Sequence, residues 1–106
     1  MANSFDFNKI KKKYFNITLP DGTKLQLKMP SKKIFEKLKE IKTGVGSTFA
    51  EQADAVYALS AEILSGNLEK KVITPKYAAD NFDIEDLSIF LTAYDEYVED
   101  QNNNPN

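Results

Sequence analysis

The segment YFNITLPDGTKLQLKMP, residues 14–30, constrains the fold more than any other part of the 106-residue chain. Phe15, Ile17 and Leu19 alternate with Asn16 and Thr18, and beyond Pro20-Asp21-Gly22-Thr23 the residues Leu25, Leu27 and Met29 alternate with Lys24, Gln26 and Lys28. A period of two in both arms predicts a β-hairpin with one apolar and one polar face. Gly22 can supply the positive φ that the reversal needs, and Pro20, with no N–H to give a ladder, places the reversal there. An isolated hairpin is marginal in water, so its apolar face must be covered by other parts of the chain.

The spacing that follows is helical. Ser31 is placed to cap a helix in which Ile34, Phe35, Leu38 and Ile41 recur at three and four residues, and Thr43-Gly44-Val45-Gly46 ends it. Thr48 and Glu51 have capping-box spacing. Phe49, Ala53, Val56, Ser60, Ile63 and Leu64 then trace one face of a second helix, read as narrow and ordinary, that stops at Gly66. Asn67 to Lys71 reads as a loop, and Val72-Ile73 is too short to predict a strand. Thr74-Pro75 opens a short helix carrying Tyr77 and Ala78 to about Asp80, because proline fits the first helical position. Asp83 caps a last helix, expected over 83–99, with Glu85 and Asp86 in its first turn, where carboxylates favour the positive end of the helix dipole. The expected architecture is a single α+β domain over 14–100, an N-terminal hairpin packed on about four helices. A flexible basic N-terminus, 1–13, precedes it and a disordered polar tail, 101–106, follows.

Composition removes whole classes of chemistry. With no cysteine and no histidine the chain has no disulfide, thiol nucleophile, thiolate metal site or imidazole base. No apolar run approaches the roughly 18 residues that a membrane span needs, and the first residues lack the pattern of a secretory signal, so a cytoplasmic location is expected. The net charge of −2 conceals a sorting: residues 1–42 hold 11 lysines and 4 acids, for +7, and residues 43–106 hold 3 lysines and 12 acids, for −9. Such polarity suits head-to-tail contacts between copies, or a partner of opposite sign at one end; the plainer alternative is two solvated faces of different sign.

Carboxylates remain the sole candidates for catalysis or metal binding, in two groups on the last helix: Asp83, Glu85 and Asp86, then Asp95, Glu96, Glu99 and Asp100. A hydrolase needs two acids whose environments split their pKa values. Asp83 and Asp86 are instead explained as a cap and a first-turn acid, and the later group is expected on a solvated face or at the frayed end. The calcium-loop pattern of alternating ligands, central glycine and closing glutamate is missing. No catalytic, cofactor-binding or metal-ligating residue is assigned. The run Lys9-Ile10-Lys11-Lys12-Lys13-Tyr14-Phe15 invites a nucleic-acid reading, since lysines displace counterions from phosphate and aromatics stack on bases. Against it stand the absence of arginine and a pI of about 5.1. The lysines also serve to keep a first strand from pairing with foreign edges.

The last helix carries more apolar surface than one seam requires. At 100° per residue, Ile84, Leu87, Leu91, Tyr94 and Val98 share a face, Phe90 and Tyr97 flank it, and Ile89 lies nearly opposite. Either the hairpin and the first helices enclose it on two sides, or Ile89, Phe90, Ala93 and Tyr97 form a protein-interaction surface.

The order of parts, with ILSGNLEKKVIT at 63–74 and FDIEDLSIFLTAYDEYVED at 82–100 before an Asn-rich end, resembles the tail assembly chaperones of long-tailed bacteriophages and prophages of Gram-positive bacteria. The similarity covers residues 14–100 and is strongest over Ile63 to Asn67 and Phe82 to Val98. The resemblance implies a non-enzymatic protein of the infected cell's cytoplasm, absent from the mature virion, that coats the long, aggregation-prone tape measure protein until tail tube subunits polymerise around it. Tape measure protein is the expected partner, with tail tube subunits and self-association as further contacts; no cofactor, membrane or nucleic acid is implied. The alternatives are a structural tail or connector component and a small nucleic-acid-binding regulator.

Overall fold

The computed structural model describes residues 4–44 and 46–103. Among them the expected α+β architecture is present: a two-stranded antiparallel sheet followed by four α-helices. β1 (Phe15–Thr18) pairs with β2 (Lys24–Leu27), Phe15 opposite Leu27 and Ile17 opposite Leu25, so one face carries the apolar residues as the alternation required. The turn closes with the Gly22 N–H donating to the Leu19 carbonyl at 2.8 Å and the Asp21 carboxylate accepting from the Thr23 N–H at 2.9 Å. Gly22 has φ of 90°, in the left-handed region that side chains avoid.

Every helix starts where its cap predicts. Ser31 opens α1 (Lys32–Thr43), which ends on Gly44 at φ of 60°. Thr48 and Glu51 form a reciprocal capping box on α2 (Phe49–Ser65), and Thr74 with Pro75 starts α3 (Pro75–Asn81). α4 runs over Ile84–Asn103, four residues beyond the expected end, so Gln101 to Asn103 of the expected tail are helical; residues 104–106 lie outside the described residues, as do 1–3 and Val45. Ahead of the domain, Phe7–Lys9 forms a single 3-10 turn capped by Asp6.

Two readings of the helices change. α2 was expected to show a narrow apolar face, yet Val56, Leu59, Ser60, Ala61, Ile63 and Leu64 are all buried, and the helix touches α1, α3, α4 and β2. It is the central element of the core, and Phe49, at its first position, is instead 78% exposed. The loop after α2 is ordered by side chains. The Ser65 hydroxyl donates to the Ile73 carbonyl at 2.8 Å and accepts from the Ile73 N–H at 2.9 Å. The buried Asn67 amide donates to the carbonyls of Leu64 and Lys71 and accepts from the Lys71 N–H. This loop closes the outer edge of β2: the Lys28 N–H donates to the Gly66 carbonyl, the Leu68 N–H to the Gln26 carbonyl, and the Gln26 N–H to the Glu69 carboxylate. Backbone groups of a two-stranded sheet are thereby satisfied on that side without a third strand. The hairpin's apolar face, through Leu19, Leu25 and Leu27, shares one core with Leu38, Leu59, Ile63, Leu64, Leu87, Leu91, Tyr94 and Val98.

Candidate interaction surface

α4 meets the hairpin side-on, and its residues divide sharply by side. Leu87, Leu91, Tyr94 and Val98 are buried as the helical spacing predicted, and Ile84 is half-buried. The Tyr94 hydroxyl donates to the Lys28 carbonyl at 2.7 Å, tying the helix to the end of β2, and burial pushes its pKa well above the ordinary phenol value.

The four residues expected to form an interaction surface do not share one environment. Ile89 is 64% exposed. Phe90 is half-buried with its ring centroid 6.2 Å from that of Tyr94, Tyr97 lies half-buried with its ring 5.0 Å from Phe15, and Ala93 is half-buried between them. Ile89 and Phe90 belong to a groove of about 630 Å³ between α4 and β1, lined also by Ile17, Leu19, Pro20, Leu64, Phe82 and Leu87. Ala93 and Tyr97 are not in its lining. The Tyr57 hydroxyl donates to the Phe82 carbonyl at 2.7 Å and so fixes the corner between α3 and α4 that forms one wall. The sequence allowed the hairpin to cover the last helix but did not place β1 against its first turns, because nothing local says that the start of a helix at residue 84 will lie beside a strand at residue 15.

Four of the acidic groups, Asp83, Asp86, Asp95 and Glu99, take structural roles. Asp83 and Asp86 bond reciprocally, each carboxylate accepting from the other's backbone N–H, at 3.0 and 2.8 Å. This makes them a capping box at the start of α4, worth about 1 kcal/mol. Asp95 corrects the expectation of a solvated outer face. It is only 4% exposed, and it accepts from the Lys42 ammonium at 2.6 Å and the Lys39 ammonium at 3.4 Å. Burial raises the Asp95 pKa, but the Lys42 hydrogen bond and the Lys39 charge outweigh it, holding the carboxyl below its ordinary value. A general acid would need the opposite shift. Lys39 also donates to Glu99 at 2.6 Å, the chief reason its pKa is raised, and its ammonium lies 4.9 Å from the Phe35 ring.

The sorted charges are therefore partly matched within the chain. Lys37 pairs with Glu62, and Lys39 and Lys42 with Asp95 and Glu99, all from the basic half to the acidic half. Among the described residues Lys9, Lys11, Lys12 and Lys13 are exposed and make no ion pair. Lys11, Lys12 and Lys13 line a cleft of about 420 Å³ with Tyr14, Lys28, Met29 and Gln101. Before them Phe5 and Phe7, 70% and 74% exposed, stack edge to face at 4.8 Å. The sequence reading left these two rings without a role, though two aromatics beside lysines outside any periodic segment were a legible signal. Among the described residues no helix is long and apolar enough to cross a membrane, and no three acidic side chains group so as to hold a metal ion. No protein-family model matches the chain, and no curated protein or solved structure matches it either.

Proposed function

We propose that the chain is a non-enzymatic phage tail assembly chaperone that binds the tape measure protein in the host cytoplasm and keeps it soluble until the tail tube forms. The observation that carries this reading is the groove between β1 and α4. Its lining is mostly apolar, with Ile89 in it at 64% exposure, while on the same helix Asp83 and Asp86 form a cap and Asp95 and Glu99 pair with lysines. An apolar groove of this kind suits the apolar stripe of a client helix, the commonest way an amphipathic helix is held by another protein. The resemblance over Ile63 to Asn67 and Phe82 to Val98 supplies the identity of the client.

The test is co-expression with the tape measure protein of the same tail gene cluster. The client is expected to stay soluble and to co-purify, and Ile89→Lys is expected to weaken both effects while the variant remains folded. A client that aggregates equally with and without the chain sinks the reading. Mass spectrometry of purified virions separates it from a structural tail or connector subunit, which would be found there. A second reading, nucleic-acid binding, is favoured by the cleft of Lys11, Lys12, Lys13, Lys28 and Tyr14. A mobility shift at low salt that vanishes steeply as salt rises would support it, and no shift at low salt removes it.

A further inference from the structure

Residues 4–10 are exposed throughout, and among the described residues none of their hydrogen bonds leaves the local turn at Asp6 to Ile10. The stretch nevertheless carries Phe5, Phe7 and Ile10, three apolar side chains that stand clear of the core, followed by Lys11, Lys12 and Lys13. Phenylalanine side chains bury about 150–250 Å² each when they find a site, so two bare rings on a protruding arm are a large unspent contribution. The molecule is long for its size, 56 × 33 × 20 Å.

The surface that complements this arm is the groove between β1 and α4. At about 630 Å³ it is larger than four other clefts of the described surface, which measure about 270–560 Å³. Each of the other four has at least one lysine in its lining; this one has none and has Asp86 in its wall. Asp21 follows its Pro20, and Asp83 and Glu85 precede Asp86 in the chain. An apolar site with an acidic rim matches an arm of aromatics backed by unpaired lysines. The arm of the same molecule is poorly placed to fill it. It leaves the fold at Tyr14, before β1, whereas the groove reaches Pro20 beyond the strand's other end. To return, the chain would have to reverse within Lys11-Lys12-Lys13, which contains none of the residues that favour tight turns.

We propose that this groove receives the N-terminal arm of a second copy of the chain, with Phe5 and Phe7 packed against Ile89, Phe90 and Ile17 and the lysines at Asp21 and Asp86. The contact joins two different surfaces, so it either closes by mutual exchange of arms or continues from copy to copy. It stands without the tape measure reading, since it concerns the chain alone; a client in the groove would compete with the arm.

Sedimentation velocity of the intact chain, without client, over a wide range of concentration tests the proposal. The mass is expected to rise above the monomer with concentration, and to rise less at high salt. Phe5→Ala with Phe7→Ala, and separately Ile89→Lys, are each expected to weaken association about tenfold or more. All three positions are exposed, so circular dichroism should show the fold unchanged. Mixing the two variants pairs an intact arm with an intact groove and is expected to restore association. A monomer at every concentration overturns the proposal, as does association that neither variant weakens, or variants whose mixture fails to associate. A monomer in which the phenylalanine variant alters the Ile89 methyl resonance overturns it in favour of the chain's own arm.

Discussion

α2 and α4 make the most instructive pair in the molecule. On sequence alone α4 carries the larger apolar side chains, with isoleucine, phenylalanine and tyrosine spread round its circumference, and α2 shows a modest stripe among alanines and serines. The structure reverses their ranks. α2 is the axle, touched by three helices and a strand, and α4 is a cladding element with one buried side and one wet one. Small side chains explain the exchange. Ala53, Ala55, Ser60 and Ala61 keep α2 thin, so neighbours can approach on several sides, and Ala61 ends 3% exposed. Large side chains hold neighbours apart, so α4 sends Tyr94 and Phe90 toward the hairpin and leaves Ile89 outside. Apolar content measures how much area a helix can bury, and side-chain size decides how many partners can reach it.

That contrast predicts that equal truncations on the two helices differ widely. Leu59→Ala on α2 is expected to destabilise the fold by about 2–5 kcal/mol, measured by urea unfolding, because the cavity lies among several elements that cannot all collapse. Ile89→Ala on α4 should stay within about 0.5 kcal/mol. Equal losses at both sites would break the comparison. Next in size is Asn67→Ala, expected to cost about 2–3 kcal/mol, since it removes three hydrogen bonds and leaves two carbonyls and an N–H in the closed loop without partners. A loss under half that would mean the loop does not secure the edge of β2.

Asp95 sharpens the contrast through pH. Its folded pKa lies below its unfolded one, so its contribution is fully present above the unfolded value and disappears as pH falls through the folded value. Asp95→Asn is therefore expected to cost about 1–2 kcal/mol at neutral pH and progressively less as the pH falls below about 4, read from unfolding curves across that range. A penalty unchanged at low pH would exclude the pairing with Lys42 and Lys39 as its source. The smallest effect is expected at Ser60, whose hydroxyl is fully buried in α2 with no hydrogen-bond partner. Ser60→Ala should be neutral or stabilise by up to about 1 kcal/mol, detectable as a raised melting temperature.

Much of the fold was legible because its signals are local. The alternation around Pro20-Asp21-Gly22-Thr23 specified the hairpin, and Ser31, Thr48, Thr74 and Asp83 each specified a helix start through a hydrogen bond spanning three residues. The last helix ran four residues past its expected end because polar asparagines in a row give no stop signal as firm as glycine or proline. The candidate surface was legible by half. The phase of α4 placed Ile89 away from the core, but Tyr97 is covered by Phe15, a contact across most of the chain that no local pattern encodes.

The sequence by itself determined the hairpin, the helix starts and the absence of cysteine and histidine chemistry, since each depends on residues close together or on composition. The tertiary structure alone decided that α2 is central, that Asp95 is buried between lysines, and that β1 and α4 enclose a groove without a lysine. Those outcomes depend on how close two distant backbones can approach, which side-chain size controls only after the chain has folded.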